Sequence, residues 1–277
     1  MSVLVPLSLD DALHALAESP DATVLAGGTD LMVEFNGGHR RAEDVVVVNR
    51  VAELCTWQHD GVHLRIGAGV TYGDIESGPI AQWAPALAQA ARTVGSPQIR
   101  HAATIGGNVG TCSPAGDGLP VLAALDAVVE LTSLDGSRSV PFAEFMTGPK
   151  RTVRRPGELI TAVTIPVADG FQGYTKVGVR NAMVIATASV ALVVQAGRVA
   201  IALGSVGPTI LRCPEAEALA TEAASSGHLS ADVVAQCSES VRAASRPIDD
   251  HRSSAAYRRH AVGVLAGRLL RRAFPDE

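Results

Sequence analysis

Two short segments of the sequence have the residue types of an anion-binding loop. The first glycine loop comprises Val24, Leu25, Ala26, Gly27, Gly28, Thr29, Asp30 and Leu31. The second glycine loop comprises Thr104, Ile105, Gly106, Gly107 and Asn108. Because glycine has no Cβ, several backbone N–H groups can converge on one anion, and Thr29 and Asn108 add side-chain donors. The two loops together therefore predict a site for a pyrophosphate.

Neither loop matches a common nucleotide-binding fingerprint. Both lack the GxxxxGK[ST] pattern of a P-loop and the GxGxxG pattern of a Rossmann domain, so neither of those folds is supported. An isolated Gly-Gly is most often only a tight turn, but two such loops in one chain favour a shared site. A third cluster, Ser113 to Asp117, follows closely in sequence and is expected to line the same cavity. Asp117 has an equally good explanation as the N-cap of the helix that follows it.

The rest of the chain carries no pattern for catalysis or metal binding. It contains eight histidines without HExxH, no GxSxG, and four cysteines without CxxC. Neither a catalytic residue nor a metal site is therefore expected on this chain. Asp249 and Asp250 are adjacent, so they are expected to form a turn or cap rather than an acid pair.

Composition excludes several classes of protein. The 277 residues are 47% hydrophobic and 18% charged, which is typical of a folded globular chain. The net charge of −5 gives no electrostatic attraction to nucleic acid or to an anionic membrane. No apolar run approaches the roughly 20 residues that span a bilayer, and no basic segment precedes the first apolar residues. We therefore expect a cytoplasmic protein without membrane insertion.

Residues 1–52 are expected to form a small α/β subdomain that holds the first glycine loop. Ser8 is expected to cap a helix over DDALHALAES, and strands are predicted over 22–26 and 44–48. Residues 53–168 are expected to form a second subdomain, which begins with a hairpin around Asp60-Gly61. Within it we predict a helix over 84–94, a glycine-rich loop from Thr104 to Gly118, and a strand over 159–165.

Residues 169–277 are expected to form a third subdomain of short strands followed by helices. Strands are predicted over 173–178, 189–195 and 198–206, and alanine-rich helices follow them. Arg258 and Arg259 are expected on the solvated face of the last helix. Strands and helices that are segregated along the chain indicate an α+β fold rather than a doubly wound sheet.

The two glycine loops also carry a specific resemblance. AGGTDLM and VGSPQIRHAATIGGNVGTCSPAGD resemble the FAD-binding medium subunit of the molybdenum hydroxylases, the family of xanthine dehydrogenase and carbon monoxide dehydrogenase. Tyr174-Thr175-Lys176, Arg180 and PIDDHRSSAAYRR resemble the C-terminal flavoprotein domain of the same family. The resemblance implies two FAD-binding subdomains of the vanillyl-alcohol-oxidase (PCMH) type and a C-terminal subdomain with an antiparallel sheet and helices.

The resemblance also implies the roles of individual residues. The two glycine loops would hold the FAD pyrophosphate from either side, and Asp117 would hold a ribose or ribityl hydroxyl. Val94 would pack on the cofactor, Ile160 would contact the isoalloxazine ring through its backbone, and Lys176 would approach the flavin. A lysine beside the reduced ring would raise its reduction potential. Ser113, in the third cluster, is the remaining residue that is expected to bind the cofactor.

The function implied by the resemblance is electron transfer. Non-covalent FAD would accept electrons from an iron-sulfur subunit and pass them to an external acceptor. The iron-sulfur clusters and the molybdopterin cofactor would belong to partner subunits only, in a dimer of heterotrimers. The alternatives are a self-contained FAD-dependent oxidase or dehydrogenase, and an assembly subunit without a cofactor.

Overall fold

The computed structural model describes residues 2–41, 44–224 and 229–275, and its first part is built on a small parallel sheet. The elements in order are β1 (Ser2–Leu4), α1 (Leu9–Glu18), β2 (Thr23–Leu25), α2 (Leu31–Asn36) and β3 (Asp44–Val47). The sheet order is β1-β3-β2, and both pairings are parallel. Ser8 caps α1 as predicted, because its side chain accepts a hydrogen bond from the Asp11 backbone N–H at 3.1 Å.

The second part is built on an antiparallel sheet covered by short helices. Its strands are β4 (Trp57–His59), β5 (His63–Gly67), β6 (Val128–Ser133), β7 (Gly136–Pro141), β8 (Met146–Gly148), β9 (Arg151–Thr152) and β10 (Leu159–Pro166). Its helices are α3 (Tyr72–Ser77), α4 (Ile80–Trp83), α5 (Pro85–Thr93), α6 (Pro97–Ala102), α7 (Ile105–Thr111), α8 (Gly118–Ala124) and α9 (Phe142–Phe145). The sheet order is β4-β5-β10-β6-β7, while β8 and β9 form a separate pair.

The third part places an antiparallel sheet before a group of helices, as predicted. The strands are β11 (Gln172–Val177), β12 (Ala188–Gln195), β13 (Arg198–Gly204) and β14 (Leu211–Arg212). The helices are α10 (Pro214–Ala224), α11 (Ala231–Ala244) and α12 (Ala255–Ala273). The sheet order is β11-β12-β13-β14. The α+β fold class is confirmed.

The third sheet is buried on both faces, which explains why β12 reads as a continuous apolar run. Ala191 and Val193 pack into the same core as the five-stranded sheet, α5 and α8. Val190 and Leu192 point to the opposite face and pack against α10, α11 and α12. Successive residues of a strand face opposite sides, so both sets must be apolar. The third sheet is therefore the layer that joins the core around the five-stranded sheet to the C-terminal helices.

One predicted loop contains a helix. The glycine-rich segment from Thr104 to Gly118 was expected to be irregular, but α7 occupies Ile105–Thr111. Gly106 allows this helix to pack directly against the segment that contains Ala68, because a Cβ on Gly106 would be 2.5 Å from the Ala68 Cβ. Close packing of the helix therefore overrides the poor helix propensity of its glycines.

The prediction of a solvated Arg258 is wrong. This residue is only 3% exposed, because the first turn of α12 is covered by the loops that precede β12 and follow β13. Its guanidinium donates hydrogen bonds to the carbonyls of Thr187 at 2.7 Å and Ser205 at 2.8 Å, and to Asp250 Oδ1 at 2.7 Å. Among the residues that the structure describes, no helix is both long and apolar enough to cross a membrane.

Candidate cofactor-binding site

The first glycine loop presents a row of free backbone donors. It connects β2 to α2, and Gly28 turns the chain with φ of +71°, a left-handed conformation that favours glycine. The N–H groups of the loop residues Gly27, Gly28, Thr29 and Asp30 have no hydrogen-bond acceptor within the described part of the chain. Four adjacent donors without protein partners are available to an anionic ligand.

The first and second glycine loops are direct neighbours in space. A Cβ on Gly27 would lie 1.7 Å from the carbonyl oxygen of Ala102, which belongs to the last turn before the second loop. Only glycine permits this approach, since the atom in the way is backbone and cannot move aside. The two glycine loops, which are predicted from their sequence to share one site, are therefore adjacent in the structure.

The second glycine loop uses most of its own backbone donors. Thr104 caps α7 by accepting a hydrogen bond from the Gly107 N–H at 2.9 Å. The N–H groups of Ile105 and Gly106 donate to the carbonyls of Val70 at 3.0 Å and Ala68 at 2.9 Å. The expectation that this loop would offer a row of backbone donors to the pyrophosphate is therefore not matched by its hydrogen bonds.

The Asn108 side chain is the donor that the second loop leaves free. Its Oδ1 accepts a hydrogen bond from the Tyr72 hydroxyl at 2.7 Å. Its Nδ2 lies 2.7 Å from the point where Gly116 would carry a Cβ, so the amide reaches the third cluster. In that cluster, Ser113 is engaged in a turn in which its hydroxyl accepts from the Ala115 N–H at 3.3 Å.

Asp117 and Lys176 form a buried ion pair between the second and third parts of the chain. The lysine Nζ is 2.6 Å from Asp117 Oδ2, and each side chain is 8% exposed. Lys176 also donates to the carbonyls of Thr93 at 2.9 Å and Val184 at 3.0 Å, so all three of its protons have acceptors. The Asp117 carboxylate also accepts from the Tyr174 hydroxyl at 2.8 Å and the Thr93 hydroxyl at 3.2 Å.

Burial and the polar neighbours of Asp117 shift its pKa in opposite directions. Burial raises the pKa, and the Lys176 charge together with hydrogen bonds from Lys176, Tyr174 and Thr93 lowers it. Burial is the larger influence, so the pKa lies above the ordinary value for aspartate. Asp117 does not cap α8, because its side chain makes no capping hydrogen bond. The helix-cap explanation is therefore excluded, and the carboxylate serves the ion pair.

Two further expected residues lie beside the loops. Val94 is half-buried at the C-terminal end of α5, directly after Thr93. Ile160 is buried in β10, and its Cδ1 lies 3.5 Å from the position of a Cβ on Gly110 of α7. Both therefore adjoin the elements that carry the second loop and the ion pair.

Three residues that organise this region were not among the predicted site residues: Tyr72, Thr93 and Tyr174. A signal existed for Tyr174, because it is two residues before Lys176 on β11 and alternate strand residues share a face. No comparable signal existed for Tyr72, whose partner Asn108 is 36 residues away in the sequence.

The structure also has cavities away from the glycine loops. Two shallow cavities of about 420 and 510 Å³ share His63 and Thr164 on the outer face of the five-stranded sheet. Their floor is an ion pair in which Arg65 Nη2 is 2.8 Å from Glu130 Oε2. Within residues 2–41, 44–224 and 229–275, no cluster of side chains could hold a metal ion.

Comparisons with known proteins agree with this arrangement. The profile of the FAD binding domain in molybdopterin dehydrogenase matches residues 1–168, and that of the CO dehydrogenase flavoprotein C-terminal domain matches residues 173–273. The glyceraldehyde dehydrogenase medium chain of Sulfolobus acidocaldarius is 34% identical over 264 residues, which cover 93% of this chain and 92% of that protein. The putative xanthine dehydrogenase FAD-binding subunit of Escherichia coli is 31% identical over 274 residues, with coverage of 95% and 92%.

A solved structure extends the agreement to the fold. A carbon monoxide dehydrogenase from Hydrogenophaga pseudoflava that lacks the Mo-pyranopterin moiety of its cofactor matches with a TM-score of 0.88 at 29% identity. The match covers 99% of this chain and 96% of that chain. The resemblance stated from the glycine loops is confirmed. This chain belongs to the family of FAD-binding domains in molybdopterin dehydrogenases and is an oxidoreductase subunit of the molybdenum hydroxylase type.

Proposed function

We propose that this chain is the electron-transferring FAD subunit of a molybdenum-containing hydroxylase or dehydrogenase complex. It receives electrons from an iron-sulfur subunit, which is reduced by a molybdopterin-binding subunit, and delivers them to an external acceptor. The chain itself contributes no acid-base chemistry to substrate oxidation.

The observation that carries the proposal is the row of unpaired N–H groups from Gly27 to Asp30, in a loop that lies against the residues just before the second glycine loop. A pyrophosphate needs several donors close together, and the loop supplies four from consecutive residues. The residues present therefore fit the anionic middle of FAD. When bound, FAD supplies the ability to take up and release electrons one or two at a time.

The proposal divides the work among the residues of the chain. Residues 24–31 hold the pyrophosphate through their backbone, and residues 104–108 define the opposite wall and add the Asn108 amide. Val94 packs on the cofactor, Ile160 contacts the isoalloxazine ring through its backbone, and Ser113 keeps the third cluster in its turn. Asp117 and Lys176 place a balanced ion pair beside the site, so the lysine charge is felt only in part.

The proposal also covers how FAD is held and which subunits accompany this chain. FAD is held without a covalent bond, and iron-sulfur and molybdopterin groups are in partner subunits, assembled as a dimer of heterotrimers in the cytoplasm. Relatives named as medium chains or FAD-binding subunits support a complex with other subunits. A division at residues 1–52, 53–168 and 169–277 is supported by the separate sheets in each part.

Flavin reduction in the isolated chain and in the complex tests the function. The chain is loaded with FAD and mixed with xanthine, an aldehyde or CO in a stopped-flow spectrometer, with and without the iron-sulfur and molybdenum subunits. We expect bleaching of the flavin absorbance only when the partner subunits and the substrate of the complex are present. Rapid bleaching of the isolated chain by one of these substrates would instead establish a self-contained dehydrogenase.

A further inference from the structure

Tyr72 is a buried side chain with a polar end directed at the second glycine loop. It is the first residue of α3, which is fixed by a capping box between Thr71 and Asp74. The residue is 1% exposed, and its ring belongs to the main core. Burial raises the pKa of its hydroxyl, so the group stays protonated and can act as a hydrogen-bond donor at physiological pH.

The Tyr72 hydroxyl determines which end of the Asn108 amide faces it. The hydroxyl proton has one acceptor within the described part of the chain, the Asn108 Oδ1 at 2.7 Å. If the amide were rotated by half a turn, its NH₂ group would face the hydroxyl and the buried proton would lose its acceptor. Leaving a buried donor unpaired costs about 1–3 kcal/mol, so the orientation with Oδ1 toward Tyr72 is the stable one.

The consequence of this orientation is that the NH₂ group of Asn108 faces the third cluster. Its Nδ2 has no acceptor among the described residues and lies 2.7 Å from the missing Cβ position of Gly116. Any side chain at Gly116 would occupy the space in front of the amide. The group is therefore an unused donor, held at a fixed angle in the gap between the second loop and the third cluster.

We propose that Tyr72 is a positioning residue for the cofactor, acting only through Asn108. Tyr72 is only 1% exposed and its hydroxyl donates to Asn108 Oδ1, so it acts through that side chain rather than by touching the cofactor. It holds the NH₂ group of Asn108 ready to donate to an oxygen of the bound FAD. This inference rests on the proposed function of the glycine loops as an FAD site, and it assigns the orientation of one donor within it.

A double-mutant cycle on FAD affinity tests the inference. The apo chain and its variants Tyr72→Phe, Asn108→Ala and the double variant are titrated with FAD, and flavin fluorescence gives each dissociation constant. We expect Tyr72→Phe to weaken binding about fivefold, the equivalent of one ordinary hydrogen bond. In the Asn108→Ala background the same change should have no further effect, because the residue through which Tyr72 acts is gone.

The controls separate positioning from stability and from the proposed function. Tyr257→Phe removes an exposed tyrosine hydroxyl and should leave affinity unchanged. Melting temperatures show whether Tyr72→Phe changes the fold. An equal loss of affinity from Tyr72→Phe with and without Asn108 would overturn the inference, as would unchanged affinity in Tyr72→Phe beside weakened binding in Asn108→Ala. Failure of the wild-type chain to bind FAD would overturn the proposed function instead.

Discussion

Replacing Lys176 by methionine removes one partner of the buried pair and keeps the volume of the side chain nearly the same. Asp117 then remains in a site where it is 8% exposed, with hydrogen bonds from Tyr174 and Thr93 but no positive charge. Breaking a buried ion pair in this way typically costs about 3–5 kcal/mol. We therefore expect the free energy of unfolding to fall by that amount at pH 7.5.

The loss should depend on pH, because the stranded carboxyl group can avoid its charge by taking up a proton. Lys176 lowers the pKa of Asp117, so its removal lets burial raise that pKa further above the unfolded value. A raised pKa in the folded state means that the neutral acid favours the fold. The favourable contribution is present at low pH and is lost as the pH rises through the folded-state pKa. The deficit of the variant should therefore be smaller at pH 5 than at pH 8.

Urea unfolding of the apo chain, followed by circular dichroism, measures both effects. The chain offers a matched control, since its second lysine, Lys150, is 51% exposed and pairs with Glu34 at the surface. Lys150→Met should cost less than about 1 kcal/mol. The double variant Asp117→Asn with Lys176→Met should recover much of the stability. A Lys176→Met loss no larger than that of Lys150→Met, or one that does not change between pH 5 and pH 8, would refute the reasoning.

Three further predictions concern the glycine loops and the cofactor. Gly27→Ala should lower the melting temperature and prevent FAD binding, because its Cβ would collide with the Ala102 carbonyl; calorimetry and flavin titration measure the two effects. Gly107→Val should preserve the fold, since a Cβ there has only Thr104 Oγ1 as a near neighbour, at 3.0 Å. It should lose FAD because the branched side chain would fill space at the proposed site, and purification with a full complement of FAD would place the second loop outside that site. Acid precipitation of the FAD-loaded chain should leave the flavin in the supernatant, and flavin that sediments with the protein would indicate a covalent bond.

The sequence was informative where a local pattern decides the structure. The cap at Ser8, the hairpin around Asp60-Gly61 and the turn of the first glycine loop depend on neighbouring residues, and each was predicted where the structure has it. β1 was not predicted, because a strand of three residues is defined by its pairing with β3 rather than by its own pattern.

The sequence was uninformative where distant parts of the chain meet. In the sequence, Arg258 is one of several arginines on a predicted helix. In the structure its buried guanidinium donates to the carbonyls of Thr187 and Ser205, which are more than 50 residues away. Asp117 and Lys176 were both expected to contact the cofactor, but nothing in a single sequence indicates that they contact each other. Such pairings are properties of the tertiary structure and become visible only when the sheets are assembled.

The ion pair between Asp117 and Lys176 has a consequence for the design of chimeric flavoproteins. Asp117 precedes α8 while Tyr174 and Lys176 lie on β11, so a crossover between residues 168 and 173 separates the acid from both of its partners. Arg212 on β14 crosses the same junction, with Nη1 2.6 Å from Asp126 Oδ1. A graft of a foreign C-terminal region would succeed only if the donor brings a tyrosine and a lysine at matching strand positions. Recombination between relatives is therefore restricted to donors whose C-terminal region carries the residues that make these contacts.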